Sequence, residues 1–400
     1  MKLWGRWGRY VSGALGMTVA CGALMWGLLG TSLAEGAWQQ MEVPDTSGGL
    51  VVDPHLLGDK RLQVFFGWSS NERAVKAPEF SFSVFDKDHW NEIKAPFFGS
   101  NYAGVRNVDC AIAKYSVGVI FQNNIVEQGK DAFEVRFAIS NDNGWSFSNP
   151  AVCDSFVSSM DTGSDVSIAG VGGRKASLCF GWIAENRMVK TAILDPNYRG
   201  DRPRANNMGR HGLNGARVEL AGEEEGGFVS VWNDGGSLQS AYIKPLIGTS
   251  EEATTVAKGK FGLNFSASDN KGRNAMLVYD LPRLLKGNKS RRQVRRWQDG
   301  AWQVVAAAPP VGGEAPLGAS LTSCQDEKGN LYVASLSRDG EKIYVSALRN
   351  GQFTPPQVAM NLKPIIGCTG FDLAVNGDYL YLFASQGPHN QMVRRPLAEV

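Results

Sequence analysis

Cysteine, histidine and charge are all scarce in this chain of 400 residues. It has six cysteines and no C-x-x-C, and beyond residue 34 only Cys110, Cys153, Cys179, Cys324 and Cys368 remain. A disulfide-dependent scaffold is therefore excluded, because a chain this long buries a large core unaided. Five is odd, so at least one thiol is unpaired unless it joins another chain, and a disulfide is possible; Cys179, inside Leu178-Cys179-Phe180, reads as core. The four histidines, His55, His89, His211 and His389, show no H-E-x-x-H or other close ligand spacing. No metal and no cofactor is expected from them. There is no G-x-S-x-G elbow and no phosphate loop, and 170–173 (Gly-Val-Gly-Gly) reads as a turn. Charged residues make up 20% and the formal net charge is +2. Lys2, Arg6 and Arg9 supply three of the positives, so the remainder carries about −1 and a nucleic-acid partner is not expected. No long helical period, heptad or low-complexity tract follows residue 34.

The abundant residues are glycine, at 47, and aromatics, at 10%. Both suit many short strands joined by tight turns. Apolar β-rich runs recur at 62–68, 117–122, 176–182, 228–232, 275–279, 331–336 and 379–384, about 45–60 residues apart. A glycine precedes the strand before each run: Gly49, Gly104, Gly163, Gly215, Gly262, Gly318 and Gly367. Such a residue suits a chain crossing close to an axis, where a Cβ is unwelcome. A further strand in several units is opened by an aromatic and closed by proline, at 90–96, 147–150, 302–309 and 353–356. Gly36-Ala37-Trp38-Gln39 repeats Gly300-Ala301-Trp302-Gln303, while the last unit ends after about three strands. The spacing predicts an all-β fold: a single β-propeller of four-stranded blades over 36–400. Seven blades are expected, six being the alternative, and an N-terminal strand closes the ring. The outer strand of the third unit is expected within 197–215.

Residues 1–34 read as an export signal. Lys2, Arg6 and Arg9 form a basic start, 11–33 is apolar, and Ser32-Leu33-Ala34 is a small-x-small site before Glu35. The apolar stretch is also long enough to be an uncleaved anchor. The propeller is thus expected outside the cytoplasm, in the periplasm, on the cell surface or secreted. A membrane is involved only if the N-terminal segment is retained.

One octapeptide, Ser140-Asn141-Asp142-Asn143-Gly144-Trp145-Ser146-Phe147, reads S-x-D-x-G-x-S-F. Asp142 is suited to accept backbone N–H bonds across a hairpin, Gly144 to supply a positive φ, and Phe147 to pack the next strand into its blade. The pattern resembles the Asp-box of the sialidase-like, BNR-repeat β-propellers. Residues 233–236 and 337–340 are degenerate copies at turns expected to be comparable. The resemblance implies a propeller fold in which Ser140, Asp142, Gly144 and Phe147 are structural. It also implies what sialidase chemistry requires: three arginines on the substrate carboxylate, a Tyr–Glu nucleophile and an Asp acid/base. The F-R-I-P-type motif that usually holds the first arginine is missing, and Val51-Val52-Asp53-Pro54-His55 stands in its place. No catalytic residue is assigned on this basis.

Propeller ligands sit over the axial channel, on loops entering the first strands. The polar residues expected there are Asp53, His55, Arg106, Asn107, Asp109, Asp165, Arg217, Glu219 and Asn264. Carboxylates and guanidinium groups in one concave mouth suit a sugar or a peptide. The competing account is a water-filled channel in which these groups pair with one another. The basic residues Lys286, Lys289, Arg291, Arg292, Arg295 and Arg296 read as a solvated loop beside an exposed Trp297. The preferred function is a binding module for a glycan or a protein partner. The alternatives are a glycan-acting hydrolase, sialidase-like or other, and a docking subunit of an envelope complex.

Overall fold

The structure is a computed structural model. It describes residues 37–400 apart from 47, 60, 70–78, 87, 95–103, 128–129, 158–164, 173–175, 185–186, 196–204, 211–216, 224–225, 246–248, 260, 262–263, 282–290, 309–319, 338 and 365–366. Residues Trp38–Val400 form one unit. It contains seven antiparallel sheets, each a blade of a β-propeller.

The first strands, nearest the axis, are Leu50–Gly58, Val105–Ala113, Val166–Val171, Val218–Glu223, Phe265–Ser268, Leu321–Gln325 and Gly370–Asn376. The recurrent apolar runs are the second strands: Leu62–Ser69, Ser116–Glu127, Ser177–Ile183, Gly227–Asn233, Met276–Leu281, Leu331–Leu336 and Tyr379–Gln386. They are apolar on both faces because each second strand is sandwiched between neighbouring blades. Successive side chains alternate, so Phe65 packs toward blade 2 while Val64 and Phe66 pack toward blade 7. Seven hydrophobic clusters result, one between each adjacent pair of blades around the whole circle.

The ring closes as the repeat at Trp38 predicts. Gln39–Met41 pairs with His389–Pro396, with Gln39 opposite Arg394 and Met41 opposite Met392. Blade 7 therefore takes its fourth strand from the other end of the domain. The fourth strand of blade 3 is Asn206–Arg210, within the expected span. No disulfide joins Cys110, Cys153, Cys179, Cys324 and Cys368.

Several expectations are corrected. In blade 2 the outer strand begins after the proline, at Ala151–Val157, because proline cannot donate to the ladder it precedes. In blade 6 the pairing opens at Gln352–Phe353, breaks at the prolines and resumes at Gln357–Asn361. Gly49 is needed where it stands, since a Cβ there would lie 2.4 Å from the Ser69 carbonyl oxygen, but Gly367 faces open space. The basic segment is not a loop where it is described: Arg291–Gln298 is the third strand of blade 5, with Arg292 buried against Asp280. Lys286 and Lys289 lie outside the described residues. Trp297 is buried and stacked on Tyr242 at 6.0 Å. The alternation of a strand turns it inward.

The octapeptide forms the hairpin between the third and fourth strands of blade 2. Asp142 Oδ1 accepts from the amides of Trp145 (3.0 Å) and Ser146 (2.9 Å), and Oδ2 from the Ser146 hydroxyl. The buried Ser140 Oγ accepts from the Gly144 amide at 2.7 Å, and Gly144 has φ +85°. Phe147 packs on Phe65, Phe80 and Phe82, so it joins blade 2 to blade 1 and does not stay within its own blade. The turns at Asp234 and Asp339 are not comparable. They join second to third strands, at the opposite end of the strands.

Burial is the largest single effect on Asp142 and pushes its carboxyl up, but the hydrogen bonds from Ser146, Ser140 and the Trp145 amide together outweigh it and hold it below the usual carboxylate range. A depressed folded-state value contributes stability above the unfolded value that is lost as pH falls through the folded one. Asp142→Ala should cost about 1–2 kcal/mol near neutral pH, at the low end for lost amide acceptors because the turn is solvated. The deficit should shrink below about pH 3.9, where unfolded aspartate protonates. Urea titrations at pH 7 and pH 3 check both.

Candidate functional site at the axial channel

The first strands enclose a channel of about 1250 Å³. Each gives one hydrogen-bonding edge to its own second strand. The other edge faces the next blade's first strand, where no ladder forms. Side chains bridge this gap. Asp53 Oδ2 accepts from the Val108 amide of blade 2 at 2.6 Å, and Asp109 Oδ2 from Ile168 of blade 3 at 2.8 Å. Asp165 Oδ2 accepts from Val218 of blade 4 at 2.8 Å, and Glu219 Oε2 from Ala267 of blade 5 at 3.0 Å. Asp372 Oδ2 of blade 7 accepts from Leu56 of blade 1 at 2.9 Å, and its Oδ1 from the Thr322 hydroxyl of blade 6 at 2.7 Å. Between blades 5 and 6, Ser323 bonds Ser266 at 3.0 Å and Gln325 Nε2 donates to the Ser268 carbonyl at 2.8 Å.

His55 lies among these acids. Its Nδ1 is 3.4 Å from Asp109 Oδ1 and 3.7 Å from Asp372 Oδ2, and its Nε2 is 3.7 Å from Asp53 Oδ1. Burial pulls its pKa down, but the imidazole N–H directed at the Asp53 carboxylate and the charges of Asp109, Asp53 and Asp372 outweigh it and hold it at about 10. The imidazole is therefore cationic at neutral pH. Burial pushes Asp109 up to about 7 against the pull of His55, and Asp165 up to about 8 against the pull of Arg217. Arg217 Nε donates to Glu219 Oε1 at 2.5 Å, and the carboxylates of Glu219 and Asp165 raise its pKa despite burial.

Asp53, His55, Asn107, Asp109, Asp165, Arg217 and Glu219 thus line one channel. Asp53 and Asn107 sit at matching bulges with φ +49°, and the Asn107 amide donates to Gln122 Oε1 at 2.9 Å. Arg106 is on the first strand of blade 2, but its side chain lies outside the described residues. Asn264 is buried ahead of blade 5 and is not among the lining residues, a correction to its placement on the rim. Asp372 and Thr322 are wall residues that sequence reasoning missed. The signal for Asp372 was an acid between apolar strand residues, Phe371-Asp372-Leu373, as in Val108-Asp109-Cys110 and Val218-Glu219-Leu220.

The described cations at the mouth, His55 and Arg217, are both engaged by carboxylates. The wall is rich in acceptors and, among the described residues, lacks the three-arginine clamp that an acidic sugar would need. Among the described residues no cluster of side chains is arranged to hold a metal ion.

No protein-family model matches the chain, and no curated protein matches it. Solved structures do. A lectin, BP39L from Burkholderia pseudomallei, superposes with TM-score 0.60 at 11% identity over 87% of this chain and 96% of the lectin. The α-L-arabinanase of Penicillium chrysogenum, complexed with arabinobiose, gives 0.51 at 12% identity over 91% of this chain and 99% of the enzyme. A Hadza microbial sialidase, Hz136, gives 0.51 at 12% identity over 88% of this chain but only 66% of its own length. At such identities the likeness is one of fold, the β-propeller.

His55→Ala should lower the melting temperature more at pH 5 than at pH 8. Folding raises the proton affinity of the imidazole from about 6.5 to about 10, so its contribution is fully present below about pH 6.5 and fades as pH rises toward 10. Thermal unfolding at the two pH values reads the difference, and an equal loss at both would remove the cation from the account.

Proposed function

We propose that the chain is a binding module whose axial mouth recognises a neutral glycan. The observation that carries this reading is the ring of carboxylates around His55 and Arg217. Each acid commits oxygen to a neighbouring strand, and all five line the channel. Hydroxyl groups of a sugar donate well to such acceptors, while Asn107 and the cations supply donors. Excess carboxylate disfavours sialylated or uronic ligands. The lectin, the arabinanase and the sialidase of like fold are, by their names, proteins that bind or act on glycans, which supports a glycan partner here.

A glycan-acting hydrolase is the second reading, and one observation favours it. Asp109 Oδ1 and Asp372 Oδ2 lie 3.4 and 3.7 Å from the same nitrogen, so they are no more than about 7 Å apart, an upper bound that admits the spacing of a retaining glycosidase pair, about 5–5.5 Å. The docking-subunit reading has less support. Among the described residues the exposed large apolar side chains are Tyr115, Val304, Val305 and Val358, which are spread over blades 2, 5 and 6.

Calorimetry or a glycan array should find neutral oligosaccharides bound more tightly than their sialylated forms. Asp53→Asn, which keeps an acceptor for the Val108 amide, should weaken binding about tenfold, the loss of one charge-assisted contact. Preference for sialylated ligands would sink the reading.

We infer further that the domain works outside the cytoplasm, delivered by residues 1–34. Support comes from the basic start, the apolar stretch and the small-x-small site. N-terminal sequencing of exported protein should return Glu35 first, and retention of 1–34 would indicate the anchored form.

A further inference from the structure

The two ends of the channel are built differently. The carboxylate ring occupies the end where the first strands begin. At the other end each first strand turns back into its second. The longest of these turns is in blade 5, residues 269–275, between Phe265–Ser268 and Met276–Leu281. The turns of blades 2 and 7 are only residues 114–115 and 377–378.

The long turn has a defined shape. Asn270 and Arg273 exchange backbone hydrogen bonds at 2.8 and 3.1 Å, and Lys271 and Gly272 between them have φ +52° and +79°. That is a tight two-residue turn requiring two positive φ values. A lysine in this conformation is strained, and such strain persists where surroundings over-determine it. Here they do. Asp269 accepts from the amides of Gly272 within the turn and Gly222 of blade 4. Gly272 lies so close to blade 3 that a Cβ would stand 2.8 Å from Val171 Cα. Lys271 Nζ reaches Asp59 Oδ1 of blade 1 at 3.0 Å and Glu327 Oε1 of blade 6 at 2.8 Å. Asn270 Nδ2 donates to the Glu327 carbonyl at 3.0 Å.

One turn of blade 5 thus touches blades 1, 3, 4 and 6. Blades 1 and 3 are not its neighbours in the ring, so a residue of blade 5 reaches both only by crossing the axial opening. We propose that residues 269–275 are a latch across the far end of the channel, with Lys271 as its crossbar, so that the channel is a one-mouthed cup. On the glycan-binding reading above, on which this step rests, the cup takes the end of a neutral glycan chain, since a chain held at mid-length has no exit.

Cys110 and Cys324 are free and line the channel, so they report on access without an engineered probe. The rate at which a small neutral maleimide labels each, mapped by peptide mass spectrometry, should rise roughly threefold or more in Lys271→Ala, because the far end then opens. Asp59→Asn removes the same bridge from the other side and should act in the same direction. Unchanged rates in both variants would overturn the latch. Calorimetry then compares linear neutral oligosaccharides with cyclic ones of the same sugar on the wild-type chain. The linear forms should bind at least about tenfold more tightly, and equal binding would overturn end-on recognition. Binding to neither, with labelling accelerated in the variants, would uphold the latch and remove the glycan reading.

Discussion

Seven strand edges face one axis, and their amides need acceptors. The blades splay too far at the centre for a continuous ladder, yet the edges are too enclosed to be left to bulk water. A buried amide without a partner costs about 1–3 kcal/mol. Asp53, Asp109, Asp165, Glu219 and Asp372 meet this need by reaching to the next blade. Carboxylates suit the task because one group accepts several hydrogen bonds. Their concentration in a narrow channel then creates a second need, for positive charge, which His55 and Arg217 fill. The shifted proton affinities of Asp109, Asp165 and His55 follow from this backbone problem before any ligand is considered.

The same logic of satisfied edges operates at the rim. Gln39–Met41 covers an edge of blade 7 that would otherwise offer unpaired amides to another molecule. Closure also gives every blade two packed faces, which is why seven clusters appear and none is terminal. The hairpin at Asp142 adds a local tie: its Trp145 ring lies against Arg61 of blade 1 at 4.4 Å, and Phe147 enters the blade 1–2 cluster.

The fold was legible because the blade period leaves repeated marks. The second strands are apolar on both faces, and the Trp38 segment copies Trp302 closely enough to reveal the closing strand. Prolines misled because proline marks the approach to a strand as readily as its end. Trp297 misled because neighbouring basic residues suggested solvent, whereas strand alternation buries every second side chain. At the site, Asp53, Asp109 and Asp165 were legible from recurrence at nearly the blade interval. Asp372 carried the same mark and was overlooked: Gly367 precedes it by five residues, as Gly104 precedes Asp109. The latch at Lys271 was invisible in the sequence: Asp59, Lys271 and Glu327 are far apart in the chain and meet only because the ring brings three turns over one opening.

Whether the axial acids favour binding or chemistry turns on how free they are. A general acid must hand its proton to a leaving group, and its partner must face the opposite side of the bond. Asp109 has the raised proton affinity of such an acid, but Oδ2 is held by the Ile168 amide while Oδ1 accepts from the Cys110 amide at 2.7 Å and faces His55. Asp372 is similarly engaged, by Leu56 and Thr322. Two acids so occupied are fixed acceptors. Fixed acceptors read hydroxyl positions well, because they are preorganised and lose little freedom when a ligand arrives. On the proposed glycan-binding reading, the groups that make the ring rigid would also make its mouth selective.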